Sequence, residues 1–412
     1  MPCIMPAIMK KLLPVILLLS ASVHAAEWRG LLDVRAVHSN AGRSWLEAGM
    51  GKSRYDRDSD AFSVGQAVLR GDFDLADSLS ASAVFSADDR HHGVVDVREA
   101  WLAWKPLPSG AWKAGVKLGA FFPQTSVEID YDDIAWTPSR TISSSAINSW
   151  IGEELRTKGI ELQLLRSGRW DGSPHDIGFT AALFRGNDPT GTLLAWRGWT
   201  ISDRIAGLNE SVLLPDLPVY RPDGAIWRQT RTIHPYRELD GRLGYYAGAQ
   251  YRYGTRVELA GMHYDNRADP LVVVDGQYGW RTRFDHVSAV LRPAGQWELM
   301  MQAMRGDTLM GKNGVAVDFK SWYALASHPV GPGRLALRYD RFSTTGRDAL
   351  PEDPNDETGH GVALAYSMQL NDSLSVVGEL LRVRSERGAR SQIGQAPLQN
   401  EHSAMVALRW HF

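Results

Sequence analysis

The chain closes on His402-Ser403-Ala404-Met405-Val406-Ala407-Leu408-Arg409-Trp410-His411-Phe412. Read as an extended strand, Ala404, Val406, Leu408, Trp410 and Phe412 fall on one side, and Ser403, Ala407, Arg409 and His411 on the other, because successive side chains of a strand point in opposite directions. An apolar face running to a terminal aromatic, backed by a polar face, suits a strand with lipid on one side and water on the other. An amphipathic edge strand of a soluble sheet has the same pattern, so the other end of the chain decides between them.

That end carries Lys10 and Lys11, then the apolar run from Leu12 to Leu19 broken by Pro14, then small residues up to Val23-His24-Ala25. A positive start, a short apolar middle and small residues at the cut make a secretory signal peptide, with cleavage expected after Ala25. Residues 1–25 are therefore read as a removed leader and 26–412 as the mature domain. The apolar middle is too short to span a bilayer, and no later stretch reaches the ~18 apolar residues a transmembrane helix needs. The single cysteine, Cys3, lies in the leader, so the mature chain is expected to hold no disulfide and to do no thiolate chemistry. Without the two leader lysines, 43 basic residues face 47 acidic ones, a balance that gives no reason to expect nucleic acid as a partner. Fifteen Trp and thirteen Tyr are many for this length and suit membrane–water interfaces.

From Glu27 onward the sequence reads as sixteen strands joined by connections that alternate short and long. The short ones, at 75–78, 106–111, 168–176, 254–255, 293–295, 329–333 and 371–373, are rich in turn-forming Pro, Gly, Asn and Asp. The long ones fall at 39–60, 90–93, 123–153, 189–240, 267–278, 307–315, 345–357 and 388–399. Alternation is clear where Leu364, Tyr366, Met368 and Leu370 oppose Ala363, Ala365, Ser367 and Gln369, and where Leu335, Leu337 and Tyr339 oppose Arg334, Arg338 and Asp340. Around 281–292 the two parities conflict, which implies either a bulge or a strand continuing above the membrane. Lipid tolerates no open sheet edge, so the predicted fold is all-β: a closed transmembrane antiparallel barrel of about 16 strands, with short periplasmic turns and long extracellular loops.

With its leader, its hairpin rhythm and the terminal Val406, Leu408, Trp410 and Phe412, the chain resembles the Gram-negative outer-membrane porins. Arg98-Glu99-Ala100-Trp101-Leu102-Ala103-Trp104 and Trp150-Ile151-Gly152-Glu153-Glu154-Leu155-Arg156 are loosely similar to the phosphate-selective group. The resemblance implies a water-filled channel in the outer membrane for passive diffusion of small hydrophilic solutes or ions. It also implies an assembly signal in the four terminal residues, read by the barrel-assembly machinery, and often a homotrimer. Outer-membrane lipid is then the surrounding partner, and no cofactor is implied.

The third long connection of porins usually folds inward, which points to 123–153. It holds Glu128, Asp130, Asp132 and Asp133 beside a small hydroxylated stretch, Thr141-Ile142-Ser143-Ser144-Ser145. The acids are candidate constriction residues; a solvated loop tip is the plainer reading. Lys113, Lys117, Arg256, Arg334, Arg338 and Arg409 are the candidate basic wall, and a carboxylate cluster facing such a wall sets up a transverse field. The 189–240 connection, with six arginines and Trp196, Trp199 and Trp227, is too long for an ordinary loop and reads as a cap or an inserted plug. Asp130-Tyr131-Asp132-Asp133 lacks the spacing of a calcium loop, and His91-His92 lacks partner ligands, so neither a metal site nor catalysis is expected. Two alternatives remain: a substrate-specific channel for an anion, sugar or organic acid, and a loop-plugged barrel acting as adhesin or surface scaffold.

Overall fold

The computed structural model describes residues 25–412 apart from 60, 89–94, 109, 131–133, 135–136 and 349. The expected leader, His91-His92, Asp132 and Asp133 lie outside the described residues, except that Ala25 opens the first strand. The barrel strands are β1 (Ala25–Ser39), β2 (Phe62–Ala76), β3 (Leu79–Ala87), β4 (Asp96–Trp104), β5 (Trp112–Phe121), β6 (Thr157–Arg166), β7 (His175–Arg185) and β8 (Gly244–Tyr253). They continue as β9 (Val257–Asp265), β10 (Arg281–Leu291), β11 (Glu298–Met310), β12 (Val315–Val330), β13 (Gly333–Gly346), β14 (Glu357–Asn371), β15 (Leu374–Arg387) and β16 (Leu398–His411). Each pairs antiparallel with the next, and β16 closes on β1 from Leu31↔His411 to Ser39↔Ser403, giving a closed sixteen-strand barrel.

Closure leaves no edge, so the backbone satisfies itself and the side chains are free to sort by face. Val406, Leu408, Trp410 and Phe412 point outward, exposed, while Met405, Ala407 and Arg409 point inward, buried. Leu335 and Leu337 face out against buried Ala336 and Arg338, and Leu364 against buried Ala363 and Ala365. Phe412 closes the seam: its backbone exchanges hydrogen bonds of 2.8 and 3.1 Å with Gly30, and its ring occupies the space a Gly30 side chain would need.

In 281–292 the register is unbroken on both sides, so the conflicting parity is not a bulge. Phe284 faces inward because the lumen beside it is filled with aromatics, and Arg281, Arg283 and Asp285 face outward because this end of β10 rises above the apolar belt. The wall is uneven in height. Strands β3 to β9 have 9 to 11 residues, whereas β11 to β16 have 13 to 16. Two helices also appear where the sequence was read as loop and strand lead-in: α1 (Ala146–Glu154) and α2 (Thr192–Trp196).

Candidate functional site

The site is the lumen, and two long connections occupy its extracellular half. The 122–156 connection leaves β5 and turns inward. Its helix α1 starts where the Ser145 side chain accepts the Asn148 N–H, an N-cap that stops the hydroxylated stretch from extending further. All nine residues of α1 are buried. Trp150 packs edge-on against Trp199 at 6.0 Å and Phe284 at 5.6 Å, and lies 5.3 Å from Phe319. Beneath the helix Glu128 accepts hydrogen bonds from the Ser145 N–H, from Asn148 Nδ2 at 2.7 Å and from Arg338 at 2.6 Å. Arg338 also bonds Asp340 at 2.8 Å and the Ser144 carbonyl at 3.1 Å. Glu379 of β15 accepts the N–H groups of Ile142 and Ser143, so the small residues do lie flat against a wall.

The second occupant is the 187–207 stretch of the 186–243 connection, every residue of which is buried. It leaves β7 and passes β10, where the Thr282 hydroxyl donates to the Thr190 carbonyl. Through α2 it reaches β15, whose Arg387 donates to the Ala195 carbonyl. The Trp199 N–H then bonds Glu357 of β14 at 2.9 Å, and that carboxylate also pairs with Lys52 from the 40–61 connection. Further on, Asp203 accepts from Arg35 of β1 and Arg54, and the Leu208 N–H reaches the Val97 carbonyl of β4 at 2.8 Å. The segment thus crosses the barrel from wall to wall. Arg197 pairs with Glu153, and Glu154 accepts the Leu193 N–H at 2.9 Å, so plug and constriction loop are stapled together.

Burial dominates the electrostatics here. It pushes the Glu154 carboxyl up to about 7, against the N–H of Leu193 and the indole of Trp150 that favour its charged form. Burial would also raise Asp203, but Arg35 and Arg54 outweigh it and hold that carboxyl well below its ordinary value.

The predicted site residues do not share one place. Glu128 and Arg338 do come together, but as a fully buried pair rather than as two walls of an open eyelet. Arg409 is likewise buried, bonding Asp33 at 3.0 Å. Asp130 contributes a backbone pairing with Thr137, and its side chain is not described. Lys113 and Lys117 face the lumen, Lys117 lying 3.6 Å from Glu161 and over the rings of Trp101 and Phe121. Arg334 faces the lumen near the periplasmic rim and bonds the Ser327 hydroxyl at 2.9 Å. Arg256 is not a wall residue: it sits exposed in the turn between β8 and β9, because β8 ends at Tyr253. Sequence reading missed Lys52, Glu357, Asp203 and Arg35, whose partners lie far away along the chain.

Below the loops the lumen opens to the periplasm. Lys113, Gln163, Thr180 and Gln250 of the wall and Gln124 of the constriction loop line a cavity of about 460 Å³. Its neighbours along the wall are half-exposed ion pairs such as Arg29–Asp72 and Arg252–Glu258.

No protein-family model matches the chain, and no curated protein matches it in sequence. Solved structures do. The outer-membrane channel DcaP of Acinetobacter baumannii superposes with a TM-score of 0.54 at 10% identity, over 94% of this chain and 97% of that one. An anion-selective porin from Comamonas acidovorans gives 0.52 at 13% identity, over 94% and 99%. The trimer form of OmpT, an outer membrane protein of Vibrio cholerae, gives 0.52 at 9% identity, over the same shares. At such identities the likeness is one of fold. Together with the closed barrel and its outward apolar belt, it gives this chain the sixteen-strand β-barrel fold of the outer-membrane porins.

Proposed function

We propose that the protein is a non-enzymatic outer-membrane channel for small hydrophilic solutes or ions, closed in this conformation by the 187–207 segment. The observation that carries this reading is the chemistry of the closure. The segment crosses a polar lumen and is held by ion pairs and backbone hydrogen bonds to the wall, above a cavity already open to the periplasm. The segment also buries Leu193, Leu194, Trp196, Trp199 and Ile201, so closure is the resting state and opening requires the buried pairs and this apolar packing to be released together. The carboxylate–arginine lattice around Glu128, Arg338 and Arg409 is then the constriction exposed on opening. Displacement by a particular solute would make the channel substrate-specific. A homotrimer built on the small outward residues Ala81, Ala83 and Ala87 of β3 fits the low part of the wall.

The test is single-channel recording in planar bilayers of the mature chain beside a variant with residues 190–206 replaced by a short Gly-Ser link. Rare or small steps from the mature chain and several-fold larger, frequent steps from the variant are expected. A variant that is folded, as judged by a heat-modifiable gel shift, yet electrically silent would sink the channel reading and favour a surface scaffold.

A further inference from the structure

Outside the barrel, where β12 to β15 rise above the belt, the outward side chains include a row of cations, with Asp318 (paired with Arg347) and Glu386 one step above it on the same strands. Arg341 of β13 stands directly opposite His360 of β14, and His360 directly opposite Arg384 of β15. Lys320 of β12 sits one diagonal step away, its residue paired with Ser343, and Arg382 lies two residues below Arg384. Lys320, Arg341 and Arg384 are exposed and form no ion pair among the described residues, while Arg382 donates to the Asn400 side chain at 3.0 Å. His360 separates Arg341 from Arg384 by two strand spacings, roughly 10 Å at ~4.8 Å each, a gap that an anionic group can bridge. Lys320, Arg341, His360 and Arg384 border an outward groove of about 450 Å³.

The face below the row changes character at once. Trp322 and Tyr339 pack at 5.5 Å, and Tyr339 stacks on His360 at 6.1 Å, an aromatic pair at the height where a headgroup meets acyl chains. Beneath them lie two adjoining apolar grooves of about 490 and 520 Å³, which share Leu364, Leu380 and Ala404. At their floor a side chain on Gly378 would meet no atom within 4 Å. Six residues of strand separate Arg384 from Gly378, roughly 20 Å at ~3.3 Å per residue. That span matches one leaflet, about half of the ~30 Å hydrocarbon core, plus a headgroup.

We propose that this face is a binding site for a phosphorylated lipid of the outer leaflet, its phosphates on Lys320, Arg341 and Arg384 and its acyl chains in the grooves below. A second copy of the same face would set cations against cations, which leaves the lipid as the complementary occupant. The inference needs the barrel to sit in the outer membrane and is independent of whether it conducts.

Native mass spectrometry of the refolded mature chain, titrated with diphosphorylated lipid A in detergent, tests it. The wild type is expected to retain the lipid, and Lys320→Ser/Arg341→Ser/Arg384→Ser to bind at least tenfold more weakly. Gly378→Trp, which fills the apolar floor, should weaken binding too, whereas the lumen change Lys113→Ser should not. A heat-modifiable shift confirms that each variant is folded. Equal binding by the triple variant, or equal binding of the same lipid stripped of phosphate, overturns the proposal. So does full displacement by millimolar inorganic phosphate, which would mark a free-anion site. An oligomer lost in the triple variant would instead assign the face to a second copy.

Discussion

The two halves of the lumen are built from the same kinds of residue and behave as opposites. In the periplasmic half, Arg252 and Glu258 face each other at 3.4 Å with side chains 51% and 30% exposed. In the extracellular half, Arg338 holds Glu128 and Asp340 with every partner fully buried. The wall is polar in both, so the difference comes from what fills the space: two connections that return into the barrel above, water below. A polar barrel wall does not by itself make an open pore. Whether its charges act as a field on passing solutes or as fasteners for a loop depends on occupancy.

Cutting one fastener should break the comparison most visibly. Arg338→Ala strands two buried carboxylates and is expected to cost about 3–5 kcal/mol, read as a lower midpoint for urea unfolding in detergent. A midpoint unchanged from wild type would mean that water already reaches Arg338.

Next in size is a dependence on pH. Burial lifts the Glu154 carboxyl to about 7 from its ordinary 4.5, so the packed state holds a proton that the released loop gives up. The stability it lends the closure is full below about pH 4.5 and is lost as pH rises to 7. Open probability should therefore increase between pH 5 and 7, on the order of tenfold for each pKa unit realised at 1.36 kcal/mol per unit. Glu154→Gln should reduce that rise, the remainder coming from Asp188 of the closing segment, which burial likewise lifts to about 7. Above pH 7 Lys52 works in the opposite sense, because burial pulls its ammonium down to about 7 and the released, protonated form loses its advantage as pH climbs towards 10.5. A profile that falls from pH 5 to 7 would overturn this assignment.

The smallest effect is expected below. Arg252→Ala breaks a half-exposed, solvent-screened pair and should move the same urea midpoint by no more than about 1 kcal/mol. A loss as large as that of Arg338→Ala would show that the vestibule is as tightly built as the plug.

What the sequence made legible follows the same division. The period of two in 402–412 and in 362–370, with turn residues between runs, is a local signal, and it carried the strand number and the facing of the side chains, whereas the inward course of 123–153 came from the resemblance to the porins. The pairs that close the lumen have no local signal: Arg35 meets Asp203 at a separation of 168 residues and Arg338 meets Glu128 at 210. No periodicity selects one arginine among many for one carboxylate among many. Helix α1 was half legible, since a capping serine precedes it, but Trp150 to Arg156 reads equally well as an approach to a strand. Only the aromatic cavity formed by Phe284, Phe319 and Trp199 decides for the helix.

One contact of the last strand couples the wall to its stopper. Glu401 of β16 accepts the N–H groups of Lys52 and Ser53, each at 3.0 Å. The 40–61 connection thus finds its seat on the strand that closes the barrel against β1. Glu401 thereby holds the backbone of Lys52, whose ammonium meets Glu357 and the Arg197 carbonyl of the closing segment. Barrel closure and the seating of the stopper are therefore coupled through one carboxylate: a change that loosens β16 also frees the support beneath Lys52 and Glu357.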